Sequence, residues 1–196
     1  MILTEIGEVG IHIGDKTHIL RPSLYAMSRL GDPEEIVSVF TSVMSGQAES
    51  FFADCYAVLV ACADGDITDA IGEIDINDNG EVIHRRGAMP SEHIVYIAQE
   101  LMRHGIAGAV DPKKAATGKE SDYLTEFNCK DMAALAIGHL GADEREAWNM
   151  TMTSIISALQ AKFPLPEDQQ AKSPSMKRHN DMMSLLDQID QATGVK

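Results

Sequence analysis

Residues 75–80 of the 196-residue chain, Asp75-Ile76-Asn77-Asp78-Asn79-Gly80, resemble the opening of a calcium loop. Oxygen-bearing side chains stand at the first, third and fifth loop positions, and the glycine that a sharp EF-hand turn needs stands at the sixth. The twelfth position must supply a bidentate carboxylate, and there stands Arg86. A cation at that point repels calcium, and no helical pattern leads into the run, so it reads as an Asn/Gly turn. Thr117-Gly118-Lys119-Glu120-Ser121 resembles the end of a phosphate-binding loop and fails in two places. The first glycine of that motif is replaced by Lys113, and the hydroxyl residue after the lysine by Glu120. The seven histidines show neither HxH nor HExxH spacing, and no GxSxG elbow occurs. Asp64, Asp66 and Asp69 read as solvated turn carboxylates. Cys55, Cys62 and Cys129 include no CxxC pair and read as buried, reduced thiols. No catalytic residue, cofactor-binding residue or metal ligand is assigned, and the chain is expected not to be an enzyme.

Composition narrows the remaining classes. Apolar residues make up 44% and charged residues 23%, ordinary globular usage that supports a sizeable core. Aromatics are scarce at 5% while methionine numbers 11, which favours packed helices over a β-sandwich. The net charge is −14, and residues 1–80 carry three basic side chains against fourteen acidic ones. Such a front half repels phosphate backbones and anionic lipid, so neither nucleic acid nor membrane is an expected partner. Glu5 interrupts the apolar start and no basic stretch precedes it, so no signal peptide is expected. The longest apolar run, Cys55 to Ala63, is too short to span a bilayer. These features point to a cytoplasmic protein.

The elements follow from periodicity and punctuation. Val9, Ile11 and Ile13 alternate, Gly14-Asp15-Lys16 is turn chemistry, and Ile19 and Leu20 close a second strand, predicting a β-hairpin. Ser23 caps a short helix that runs to Leu30. Asp32-Pro33-Glu34-Glu35 starts the next, with Ile36, Val37, Phe40, Val43 and Met44 as its stripe and Gly46 as its stop. Residues 47–63 predict a central helix, apolar nearly all round. Ile74 and Ile76, then Val82 and Ile83, predict a second small hairpin. A helix spans Ser91 to His104, capped by Ser91, facing inward with Ile94, Ile97, Ala98 and Leu101, and ended by Gly105. Further helices cover about 129–140, with Met132, Leu135, Ala136 and His139 in phase, and about 143–162, with Trp148, Met152, Ile155 and Leu159 as one stripe. The whole predicts a mainly α (α+β) fold. An N-terminal β-hairpin and helical domain occupy 1–105, a basic connector 106–122 and a helical hairpin 123–163. A Pro-rich linker covers 164–175, and a tethered amphipathic helix 176–196. Trp148, in phase with Met152 and Ile155, reads as a structural anchor of the helical hairpin, with a partner hot spot as the alternative. Candidate partner contacts are Trp148 and Met152 on the helical hairpin, and Met182, Met183, Leu186 and Ile189 on the C-terminal segment.

Two stretches carry a family resemblance. The opening hairpin leading into Leu20-Arg21-Pro22-Ser23-Leu24-Tyr25-Ala26-Met27 resembles the N-terminus of tail assembly chaperones of long-tailed bacteriophages. Ala133-Ala134-Leu135-Ala136, His139-Leu140-Gly141 and Glu146-Ala147-Trp148-Asn149-Met150-Thr151-Met152-Thr153 are similar to their downstream helical hairpin. Arg85-Arg86-Gly87, Met89-Pro90 and His104-Gly105 are similar to related prophage proteins. The resemblance implies a host-cytoplasmic chaperone that binds the tape measure protein and assists tail tube polymerisation around it. The tape measure and tail tube proteins are then the expected partners, and self-association is left open. The alternative class is a virion structural protein, a minor tail or tail completion subunit.

Overall fold

The computed structural model describes residues 2–76, 82–108 and 125–163. It is mainly helical with two small antiparallel sheets. Strands β1 (Ile2–Leu3), β2 (Val9–Ile13) and β3 (Lys16–Leu20) form the first sheet in that order. The predicted hairpin pairs Val9 with Leu20 and Ile13 with Lys16, and β1 adds an edge that periodicity did not indicate. Val9 and Ile11 are buried, as the alternation required. Ile19 and Leu20 do not both face inward: Leu20 is fully buried while Ile19 is 46% exposed, because adjacent strand residues point to opposite faces.

Ser23 caps α1 (Leu24–Ser28), its hydroxyl accepting from the Ala26 amide at 3.1 Å. Helix α2 (Pro33–Ser45) starts at Asp32 with a complete capping box: Asp32 accepts from Glu35 N while Glu35 accepts from Asp32 N. Helix α3 (Phe51–Cys62) is central, with Cys55, Val58, Leu59 and Cys62 buried. It begins four residues later than the expected position 47, after Gly46 has ended α2 in a left-handed conformation. The Asp54 carboxylate accepts from Ser42 and Ser50 hydroxyls at 2.5 and 2.7 Å, tying the end of α2 to the first turn of α3.

A single helical turn, α4 (Thr68–Ile71), leads into the second hairpin, β4 (Gly72–Ile76) and β5 (Val82–Arg86). Strands therefore flank the calcium-like run, whose residues 77–81 lie outside the described residues. The hairpin is held on α3 through His84 and Tyr56. His84 Nε2 lies 2.8 Å from the Ile71 carbonyl, and its ring packs against Phe52 at 4.9 Å and Tyr56 at 6.2 Å between centroids. Tyr56 donates to the Gly72 carbonyl at 2.8 Å. Gly72 has φ +86°, and a Cβ there would come 1.9 Å from the Arg85 carbonyl oxygen, so the strand start admits only glycine.

Helix α5 (Ser91–Met102) packs on α3 and α2 through the predicted face of Ile94, Ile97, Ala98 and Leu101. Its cap differs from expectation. Pro90 holds the N-cap position and Ser91 is the first helical residue, with no side-chain cap bond. Gly105 does not end the helix either. A π-helical turn (Arg103–Ala107) carries it on to Gly108, and Ile106 is buried, so the connector expected from 106 starts later. Gly105 serves close packing instead: a Cβ there would meet Met27 Sδ at 2.7 Å. Residues 109–124 lie outside the described residues.

The chain returns through Phe127, whose amide donates to the Pro33 carbonyl at 2.9 Å, into α6 (Cys129–Leu135). A second π-helical turn (Ala136–Leu140) follows, leaving His139 exposed rather than in the inward stripe. The helix expected over 143–162 is two helices. Helix α7 (Glu144–Asn149) opens with an Asp143/Glu146 capping box, and α8 (Met152–Lys162) restarts after Met150 and Thr151. Both intervening residues are extended because they join another part of the fold. Leu24 N donates to Met150 O at 2.9 Å, and Ser23 and Thr151 form an isolated β-bridge. The described residues thus share one core, in which the segments before 109 and after 124 interleave. The predicted linker at 164–175 and helix at 176–196 lie outside the described residues.

Candidate functional site

The seam between Arg21–Tyr25 and Asp143–Ser154 is the most informative surface. It is built by local rules at each side and by tertiary pairing between them. Arg21 N donates to the Cys62 carbonyl at 2.8 Å, anchoring the corner to the end of α3, and the Arg21 side chain pairs with Glu8. Pro22 and Ser23 are buried, and α1 then sends Leu24 and Met27 into the core while Tyr25 stays 59% exposed. On the other side, Thr151 is buried and its hydroxyl caps α8 by accepting from Ser154 N at 3.1 Å.

Two hollows open along this seam. One, of about 960 Å³, is lined by Tyr25, Ser28, Asp143, Glu144, Arg145, Trp148 and Asn149. The other, of about 260 Å³, is lined by Ile6, Arg21, Glu146, Asn149, Met150, Thr151 and Ser154. Asn149 belongs to both walls, so they form one groove around α7. Its apolar lining comes from Tyr25, Trp148, Ile6 and Met150, and its charged lining from Arg21, Asp143, Glu144, Arg145 and Glu146. Tyr25 and Trp148 combine a large apolar body with a polar tip, a pairing suited to protein contacts.

Of the candidate partner residues, the structure brings Trp148 to this groove, half-buried with one side against the core. Met152 is only 8% exposed and Ile155 1%, so they serve the core, and the break at Thr151 removes the common stripe with Trp148. Met182, Met183, Leu186 and Ile189 lie outside the described residues. Sequence reasoning missed Tyr25, Ile6 and Met150 as lining residues of these hollows. The signal available was indirect: Tyr25 and Met150 each sit inside one of the two stretches that carry the family resemblance.

Other polar groups cluster outside the lining of these hollows. His104 is buried, with Nδ1 2.9 Å from Thr153 Oγ1, and that hydroxyl donates to the His104 carbonyl at 3.3 Å. Burial holds the His104 pKa below its usual range, opposed by Glu100 and reinforced by Arg103. Gly7 crosses directly over this ring, where a Cβ would come 2.3 Å from His104 Cβ. The cluster clasps the β1–β2 loop, the first π-helical turn and α8 together. At the outer edge, Lys16 Nζ meets Asp69 at 2.9 Å and His18 Nε2 lies 3.0 Å from the other Asp69 oxygen. The His18 and Asp69 atoms are close but not aligned as a hydrogen bond. The Lys16 hydrogen bond lowers the Asp69 pKa and raises that of Lys16. All three cysteines are free and buried; burial pushes the Cys55 thiol up to about 12, Cys129 to about 11, and Cys62 upward as well. Among the described residues, no group of three or more His, Cys, Asp or Glu is placed to hold a metal ion, and no helix is long and apolar enough to cross a membrane.

Fold and surface together define a mainly helical α+β domain with an open groove lined by apolar and acidic side chains. The chain belongs to the family of unknown function DUF6246, which matches residues 20–53 and 46–178 and so includes both sides of the seam. No curated protein and no solved structure matches it.

Proposed function

We propose that the protein is a tail assembly chaperone of a long-tailed bacteriophage or prophage. It holds the tape measure protein in the host cytoplasm while the tail tube polymerises, and it works by binding rather than by catalysis. One observation carries the reading. The two stretches that resemble tail chaperones, distant in sequence, meet through the Leu24–Met150 hydrogen bond and the Ser23–Thr151 bridge, and their side chains build one groove. A holdase for a long helical client needs an adaptable apolar contact on a highly soluble body. The Tyr25–Trp148 lining and the net charge of −14 meet those two needs.

The test has two arms. The protein is expected to co-purify with the tape measure protein from cells producing tails, and to be absent from purified mature particles. Stoichiometric retention in mature particles would instead establish a minor tail or tail completion subunit.

A further inference from the structure

We propose that the groove around α7 selects an amphipathic helix carrying Lys or Arg beside its apolar anchors, an inference that rests on the binding role proposed above. Backbone pairing is not available to an incoming chain at this seam. The Met150 carbonyl already accepts from Leu24 N, and Thr151 already bridges to Ser23, so strand addition has no free edge here. Recognition must therefore run through side chains. Two apolar hollows on either side of Asn149 suit residues spaced along one face of a helix, the helix-in-groove mode.

Charge sets the second half of the specificity. Asp143 and Glu144 line the first hollow and Glu146 the second, while Glu8 stands beside Arg21 and pairs with it. Arg145 and Arg21 are the basic side chains of this lining, so carboxylates outnumber guanidinium groups in it. Asp143 and Glu146 are fixed in place by the α7 capping box, and Glu144 projects exposed beside them. A helix with cations flanking its apolar face meets opposite charge there; a helix with acidic flanks meets repulsion.

The chain contains a single tryptophan, so Trp148 emission reports the groove directly. Two synthetic helical peptides without tryptophan, identical on the apolar face and flanked by lysines or by glutamates, serve as probes against the full chain. The lysine peptide is expected to shift Trp148 emission and to bind at least about tenfold more tightly than the glutamate peptide at low salt. Glu144→Lys is expected to erase most of that preference, while Glu49→Lys, which changes net charge equally at an exposed site away from the groove, preserves it. Equal affinities, an unchanged Trp148 emission, or equal effects of the two substitutions would overturn the proposal. A Trp148 shift produced by protein concentration alone, or by removal of residues 167–196 without peptide, would overturn it in favour of a second copy or of the chain's own C-terminal segment. Failure of tape measure co-purification alongside selective lysine-peptide binding would remove the chaperone assignment and leave the charge rule standing.

Discussion

Thr151 offers the sharpest test of how the groove is made. In the structure it is the N-cap of α8, fully enclosed, with its hydroxyl accepting from Ser154 N at 3.1 Å. Thr151→Ala removes that cap, which costs about 1 kcal/mol, and a buried methyl group, which costs about another 0.8 kcal/mol. The expected loss is about 2 kcal/mol, a fall in Tm of about 4–8 °C for a domain of this size. Thr151→Ser keeps the cap and is expected to lose about half as much. The sign is informative. Were residues 143–162 one continuous helix, alanine would gain about 0.5 kcal/mol of helix propensity over threonine. Thermal and urea unfolding followed by far-UV circular dichroism measures both variants. A Thr151→Ala protein as stable as the wild type, or equal losses for alanine and serine, would refute the cap and with it the break that turns Trp148 towards Tyr25.

Gly72→Ala places a methyl against the Arg85 carbonyl at a positive φ and is expected to cost about 3 kcal/mol or more, whereas Gly14→Ala, with φ +56° and nothing within 4 Å, costs about 1 kcal/mol; comparable melting curves for the two would contradict the close approach at β4. His104 favours its neutral form in the fold, so its pKa there lies below that of the unfolded chain. Its contribution to stability is therefore complete above the ordinary histidine range, near pH 6.5, and is lost as the pH falls from there towards the depressed folded value. His104→Gln should flatten that part of the stability–pH curve, and an unchanged slope would rule the residue out as its source. The three cysteines, buried and held protonated, should resist a thiol reagent at pH 8 until the chain unfolds; rapid labelling of Cys55 or Cys62 in the native protein would show that the α3 core opens.

What was legible in the sequence is what short-range chemistry decides. The helix starts at Asp32 and Asp143 stand where the local pattern put them, because a cap is made within four residues. The two hairpins and the inward face of α5 follow from periodicity in the same way. The misplacements are tertiary. Gly105 looked like a terminator, yet it is there so that Met27 can approach, and the π-helical turn runs through it. Residues 143–162 carry an unbroken helical stripe, but Leu24 and Ser23 claim the backbone of Met150 and Thr151 and split the helix. The groove was half legible. Trp148 stood out as the lone tryptophan, whereas Tyr25 and Ile6 come from distant parts of the chain and only the fold brings them beside α7.

The groove's role in holding the client is the central claim, and co-expression with the tape measure protein tests it most directly. Wild-type protein is expected to keep the tape measure protein soluble and to elute with it as one complex. Tyr25→Ala with Trp148→Ala should abolish that complex while leaving a folded domain, since Tyr25 is mostly exposed and Trp148 half-buried. A complex that survives the double substitution at wild-type yield would contradict the account.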